Sequence, residues 1–92
     1  MNYTVSRFIQ KSAKVSTAYF QANTAKKIAT TSQIGCNLQK MVSPIGAIKF
    51  TSISSSNNFI HSIFIDSNGV DIYFVTNVSQ NLAFEISWLE KA

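Results

Sequence analysis

His61 is the chain's one histidine and Cys36 its one cysteine. A histidine placed beside a cysteine or a serine can act as its general base and make it a nucleophile. His61, however, alternates with Ile60 and Ser62 inside an expected strand, and a histidine on a sheet face is ordinarily satisfied by a neighbour or by water. No G-x-S-x-G elbow is present. A single thiol excludes an intramolecular disulfide and any multi-cysteine zinc or iron–sulfur site, and it suits a reducing compartment. Asp66 and Asp71 flank a turn, which two acids commonly solvate, and no third ligand points to Ca²⁺ or Mg²⁺. Glu85 and Glu90 lie too far apart along a strand to work as a pair. Gly35, Gly46 and Gly69 are isolated, so no glycine loop cradles a phosphate. The expectation is a protein that is not an enzyme and uses neither cofactor nor metal.

What could carry function instead is charge. Positions 1 to 65 hold Arg7, Lys11, Lys14, Lys26, Lys27, Lys40 and Lys49 and no acid, whereas 66 to 92 hold Asp66, Asp71, Glu85 and Glu90 against Lys91 alone. The two parts carry plus seven and minus three, summing to the net charge of +4. The seven cations of the first part are the candidate partner-binding residues. A face built from them suits an acidic protein surface or a nucleoprotein complex. It also suits the phosphates of a nucleic acid, with Tyr3, Phe8, Tyr19 or Phe20 as stacking candidates. The plain alternative is a basic surface that only keeps the protein soluble.

A more specific nucleic-acid reading uses residues 24–42. Thr24-Ala25-Lys26-Lys27-Ile28-Ala29, then Ser32-Gln33-Ile34 and Leu38-Gln39-Lys40-Met41, has the flavour of a helix-turn-helix of a DNA-binding regulator. The register is poor, because Gln39 stands where the motif wants a buried residue and Gln33 where it wants glycine. The competing reading is one capped helix that packs Ile28 and Ala29 on a sheet.

The elements that must position these residues are clearest in the second half. From Leu82 the apolar residues recur with period two, which stands Leu82, Phe84, Ile86 and Trp88 on one face of a strand. Phe59–Ile65 and Val70–Thr76 are β-branched and aromatic runs joined through Asn68-Gly69, a pair that supplies the positive φ of a tight hairpin. Ile45–Ile53 makes another strand, set off by the loop-forming Ser54-Ser55-Ser56-Asn57-Asn58. Together they predict a four-stranded antiparallel meander. The first half predicts strands over 3–10 and 15–22 and a helix that starts near Thr24, with Asn23 and Thr24 as N-cap candidates, and ends before Gly35 or resumes through Leu38 to Val42, with Pro44 closing the segment. Val5, Phe8, Ile9, Ser12, Ser16, Tyr19 and Phe20 also fit a helical face, so N-terminal helices packed on the sheet are the alternative.

These readings amount to a small single α+β domain over 1–92, since 92 residues bury one core and leave room for one surface site. Its expected core is Ile48, Phe50, Ile63, Ile65, Ile72, Phe74, Leu82, Phe84, Ile86 and Trp88. Residues 1–31 are basic, rich in Ser, Thr and Ala and free of acid, as organelle transit peptides are, but the segment is expected to belong to the folded domain. No apolar run approaches the ~20 residues of a membrane span, so a cytoplasmic protein without membrane contact is expected. An unpaired edge strand could support a homodimer. The functional expectation is a small binding or inhibitor protein that occludes a macromolecular partner through its basic face. Phage and mobile-element accessory factors, anti-CRISPR proteins among them, are commonly of this size and kind.

Overall fold

Alternation with period two is sustained through the last strand of the chain for twelve residues, Gln80–Lys91, and every second side chain from Gln80 to Glu90 is buried. A computed structural model describes residues 7–51 and 59–92. The described residues form six strands, β1 Phe8–Phe20, β2 Lys26–Thr30, β3 Gly46–Thr51, β4 His61–Ile65, β5 Asp71–Thr76 and β6 Gln80–Lys91. One helix of four residues, α1 Thr31–Ile34, follows β2. The expected loop over Ser54–Asn58, the first residues of the expected strand 3–10 and the stacking candidate Tyr3 lie outside the described residues.

The strands form two three-stranded antiparallel sheets, ordered β1-β6-β3 and β2-β5-β4. The architecture is therefore mostly β, and the expected α+β class is corrected. The expected strands of the second half all exist, but they do not make a meander. β4 and β5 form the Asn68-Gly69 hairpin, with Gly69 at φ 73°. β5 and β6 instead belong to different sheets, as do β3 and β4. Burial explains the split. β5 turns Ile72, Phe74 and Thr76 inward and β6 turns Leu82, Phe84, Ile86 and Trp88 inward, so each central strand covers the apolar face of the other sheet. The Phe74 and Phe84 rings meet across this interface, stacked with centroids 4.6 Å apart.

The first half departs further from expectation. In place of two strands, or helices, β1 runs unbroken for thirteen residues against β6, from Phe8 opposite Lys91 to Phe20 opposite Gln80. A bulge between Val15 and Ala18 shifts the phase of alternation, so Ala13 and Val15 face inward before it and Ala18 and Phe20 after it. Phe20, 1% exposed, packs edge-on against Phe74 at 5.0 Å.

Lys26–Thr30, expected as helix, is β2, paired with β5. Thr24 is not an N-cap. Thr30 is, accepting from the Gln33 N–H at 3.2 Å while the Gln33 side chain accepts from the Thr30 N–H at 2.8 Å. This capping box starts only one turn of helix before Gly35, at φ 70°, ends it. Residues 24–42 thus build no helix-turn-helix, and the DNA-reading arrangement expected of them is absent. Pairing with β5 outweighs the helix propensity of Ala25 and the lysines.

The core corrects the expected one at both ends. Phe50, Ile63 and Ile65 are half-buried, and Ile48 is 41% exposed, because it stands opposite Glu85 on the outer face and the bulge after it, with Lys49 at φ 57°, breaks the alternation before Phe50. Phe20, Cys36 and Ile45 join the core instead.

The crossovers are tied together at one end. The Asn23 N–H donates to the Thr76 carbonyl at 2.7 Å and the Ala22 N–H to Ser79 Oγ at 2.8 Å. At the other end the segment after α1 runs along β6, where the Val42 N–H donates to the Leu89 carbonyl and the Lys91 N–H to the Lys40 carbonyl, both at 2.9 Å.

A lysine-lined cleft between the sheet edges

Because β1 and β2 are edge strands of facing sheets, the gap between them is open to solvent. They converge at the turn 21–25, where Lys26 Nζ donates to the Tyr19 carbonyl at 3.1 Å. Away from the turn a cleft of about 570 Å³ opens, walled by residues 13–18 of β1 and 26–29 of β2 and closed by Gln33 and Ile34 of α1. Its lining is apolar at Val15, Ala18, Ile28 and Ile34, with Phe20 beneath, and Lys14, Lys26 and Lys27 stand around it. No Asp or Glu lines it among the described residues.

The three lysines are held in different ways. Lys26 lies over the Phe20 ring, its Nζ 5.6 Å from the centroid. Lys27 pairs with Asp71 at 3.7 Å, but its side chain remains 55% exposed, so this contact is weak and screened. Lys14 is opposite Glu85 in the ladder, where the acid is engaged by Lys49 at 2.9 Å.

The other expected cations lie elsewhere. Arg7 is exposed at the start of β1, where its carbonyl accepts from the Ala92 N–H at 2.9 Å. Lys11 and Lys40 flank Glu90, and Lys49 sits in the β3 bulge. The seven do not form one face; Lys14, Lys26 and Lys27 line this cleft, with Lys14 opposite Glu85 and Lys27 opposite Tyr73 in their ladders. Of the stacking candidates, Phe8 and Tyr19 are each 54% exposed, while Phe20 is core.

His61 and Cys36 are kept apart. His61 stacks on Phe59 and Phe74 at 5.3 and 5.6 Å, and this burial pushes its pKa below the ordinary value. Cys36 donates to Met41 Sδ at 3.7 Å, its pKa raised by burial and by the Glu90 charge. The His61 cluster reaches Phe84 through Phe50, whereas Cys36 lies by Glu90. Those two β6 positions are about 20 Å apart at ~3.3 Å per residue. Asp66 and Asp71 serve the turn, accepting from the Ser67 N–H at 2.8 Å and from Asn68 Nδ2 at 3.0 Å. Among the described residues no three His, Cys, Asp or Glu side chains gather as a metal site.

The sequence reading missed the buried carboxylate of Glu90, 5% exposed. Its Oε2 accepts from Trp88 Nε1 at 2.8 Å and from the Asn37 N–H at 2.9 Å. The Trp88 bond, then the Asn37 bond, holds its pKa below the usual carboxylate range against the opposing effect of desolvation, and Lys11 and Lys40 add to the lowering. Period two from Trp88 already placed Glu90 on the inner face, which was the available signal.

Comparison with protein-family models, curated proteins and solved structures found no match. No helix among the described residues is long and apolar enough to cross a membrane.

Proposed function

We propose that this chain is a binding protein, without catalytic activity, that occludes a macromolecular partner by gripping acidic groups of that partner at the β1/β2 cleft. One observation carries the reading: Lys14, Lys26 and Lys27 line a cleft with no carboxylate in its lining. Ammonium groups with no acid beside them in the cleft attract anions and lose little to internal pairing, since the one ion pair among them is long and exposed. The separation of His61 from Cys36 supports binding over nucleophilic catalysis.

The test is fluorescence polarisation with labelled polyglutamate and labelled single-stranded DNA, at low and near-physiological salt. Glutamine is the right replacement, because glutamate at 14 or 27 would face Glu85 or Asp71 and disturb the fold. Polyglutamate should bind, weaken as salt screens the charges, and lose roughly tenfold in affinity in a Lys14→Gln/Lys26→Gln/Lys27→Gln variant, on the order of 0.5 kcal/mol per exposed charge. Affinity unchanged in that variant contradicts the reading, and tighter binding of the oligonucleotide moves the protein to the nucleic-acid binders.

A further inference from the structure

We propose that this chain forms a closed homodimer in which β4 pairs antiparallel with β4 of a second copy, joining two β2-β5-β4 sheets into one continuous sheet. Among the described residues the two sheets end in four strand edges, on β1, β3, β2 and β4. Three of them carry the devices that keep an edge from pairing, charge and irregularity. β1 has Lys11 and Lys14 and the bulge between Val15 and Ala18, and β2 has Lys26 and Lys27 and the bulge between Lys27 and Ala29. β3 has Lys49 within the break between Ile48 and Thr51. β4 has none of these. His61-Ser62-Ile63-Phe64-Ile65 holds no lysine, acid or proline, and its ladder to β5 runs without a shift from His61 opposite Thr76 to Ile65 opposite Ile72.

The hydrogen-bonding groups of this edge lie in the plane of the sheet, where an added strand has to stand. Bonds at its two ends set their direction: the Asn77 N–H donates to the Ile60 carbonyl at 3.1 Å and the Asp66 N–H to the Asp71 carbonyl at 2.9 Å. The even-numbered residues therefore bond to β5, and His61, Ile63 and Ile65 direct their N–H and C=O groups away from it. A two-fold axis at Ile63 sets Ile63 against the partner's Ile63 and His61 against the partner's Ile65, so each of these groups meets its complement. On the outer face Phe64, 43% exposed and stacked on Tyr73 at 5.5 Å, falls opposite the partner's Ser62, a large ring against a small side chain.

Charge points to a second copy as the occupant. An edge without lysine or acid gives a charged segment of another protein nothing to select, and pairing it with itself opposes no like charges although each chain carries +4. The pairing uses the one unguarded edge of both copies, so assembly stops at two. β2 is the far edge of the same sheet, so the β1/β2 cleft stays open and the inference is independent of the binding reading.

The test is analytical ultracentrifugation of the intact protein over a concentration series, with amide hydrogen exchange on the same samples. The mass is expected to rise from that of one chain to that of two and no further. The His61, Ile63 and Ile65 amides are expected to exchange about tenfold more slowly, or slower still, where the dimer is populated. Ser62→Lys/Phe64→Lys sets lysine opposite lysine on both sides of the axis and should keep the protein monomeric, whereas Ser62→Glu/Phe64→Lys sets glutamate opposite lysine and should restore the dimer. Both positions are exposed, so neither variant opens the core. A protein that stays monomeric up to about 1 mM, the weak end of specific association, overturns the inference. So does a dimer that leaves those three amides unprotected, a dimer that survives the double lysine substitution, or assembly beyond two chains.

Discussion

Tyr19 and Phe20 are adjacent, aromatic and opposite in fate: Tyr19 is 54% exposed on the outside of β1, and Phe20 is 1% exposed beneath the cleft. A strand requires this contrast, whereas the competing helical face would bury both. Phe20→Ala removes a ring that meets Phe74 at 5.0 Å and Phe84 at 5.9 Å and lies under Lys26. Truncating a buried phenylalanine costs about 3–5 kcal/mol, of which the edge-on aromatic contact contributes about 0.5–1.5 kcal/mol. A domain of this size has roughly 5–14 kcal/mol of stability in all, so the variant loses a large fraction and its melting temperature falls by well over 10 °C. Tyr19→Ala, at an exposed position, should change stability by no more than about 0.5 kcal/mol. Urea unfolding followed by the fluorescence of Trp88, the chain's one tryptophan and fully buried, measures both. A Phe20→Ala loss below about 1 kcal/mol, or equal losses for the two variants, refutes the register of β1.

The pairing of the first and last strands predicts that Ser12→Cys and Ser87→Cys, directly opposite in the β1–β6 ladder, form a disulfide on mild oxidation. Antiparallel partners lie within disulfide reach, and closing a loop of this length should raise stability by up to about 4 kcal/mol; failure to cross-link on a non-reducing gel contradicts the register. Stability should also fall in two steps on acidification. The folded pKa of His61 lies below its ordinary 6.5, so the unfolded chain takes up that proton first and stability declines as pH falls from about 6.5 toward the folded value. Glu90, depressed from 4.5, contributes fully above that pH and loses its contribution as pH drops through its lower folded value. His61→Phe keeps a ring against Phe50, Phe59 and Phe74 and should abolish only the first step; a first step that persists in urea titrations of this variant assigns it elsewhere.

Where the sequence was legible, the signal was local. Asn68-Gly69 marked the β4–β5 hairpin, and alternation from Leu82 to Trp88 marked the inner face of β6. Alternation names the residues that share a face but not the strand they pair with. The division of β5 and β6 between two sheets was therefore hidden, since Phe74 and Phe84 would be buried neighbours in a meander too. In β1 the bulge at Ser16 and Thr17 breaks the alternation, which let the helical pattern compete and made Phe20 look like a surface aromatic. At β2, Thr24 carried the same capping chemistry as Thr30, and only pairing of Lys26–Thr30 with β5 distinguishes them. The lysines were found individually, but which of them line one cleft depends on which two edges lie beside each other across the sandwich, a long-range property.

The most direct test of the cleft as the binding site is an amide chemical-shift map of the ¹⁵N-labelled protein titrated with polyglutamate at low salt. Shifts are expected to concentrate at residues 13–18 and 26–29, around Lys14, Lys26 and Lys27, and to fade as salt is raised. Shifts centred on Lys11 and Lys40, on Lys49, or spread evenly over all the cations would contradict it.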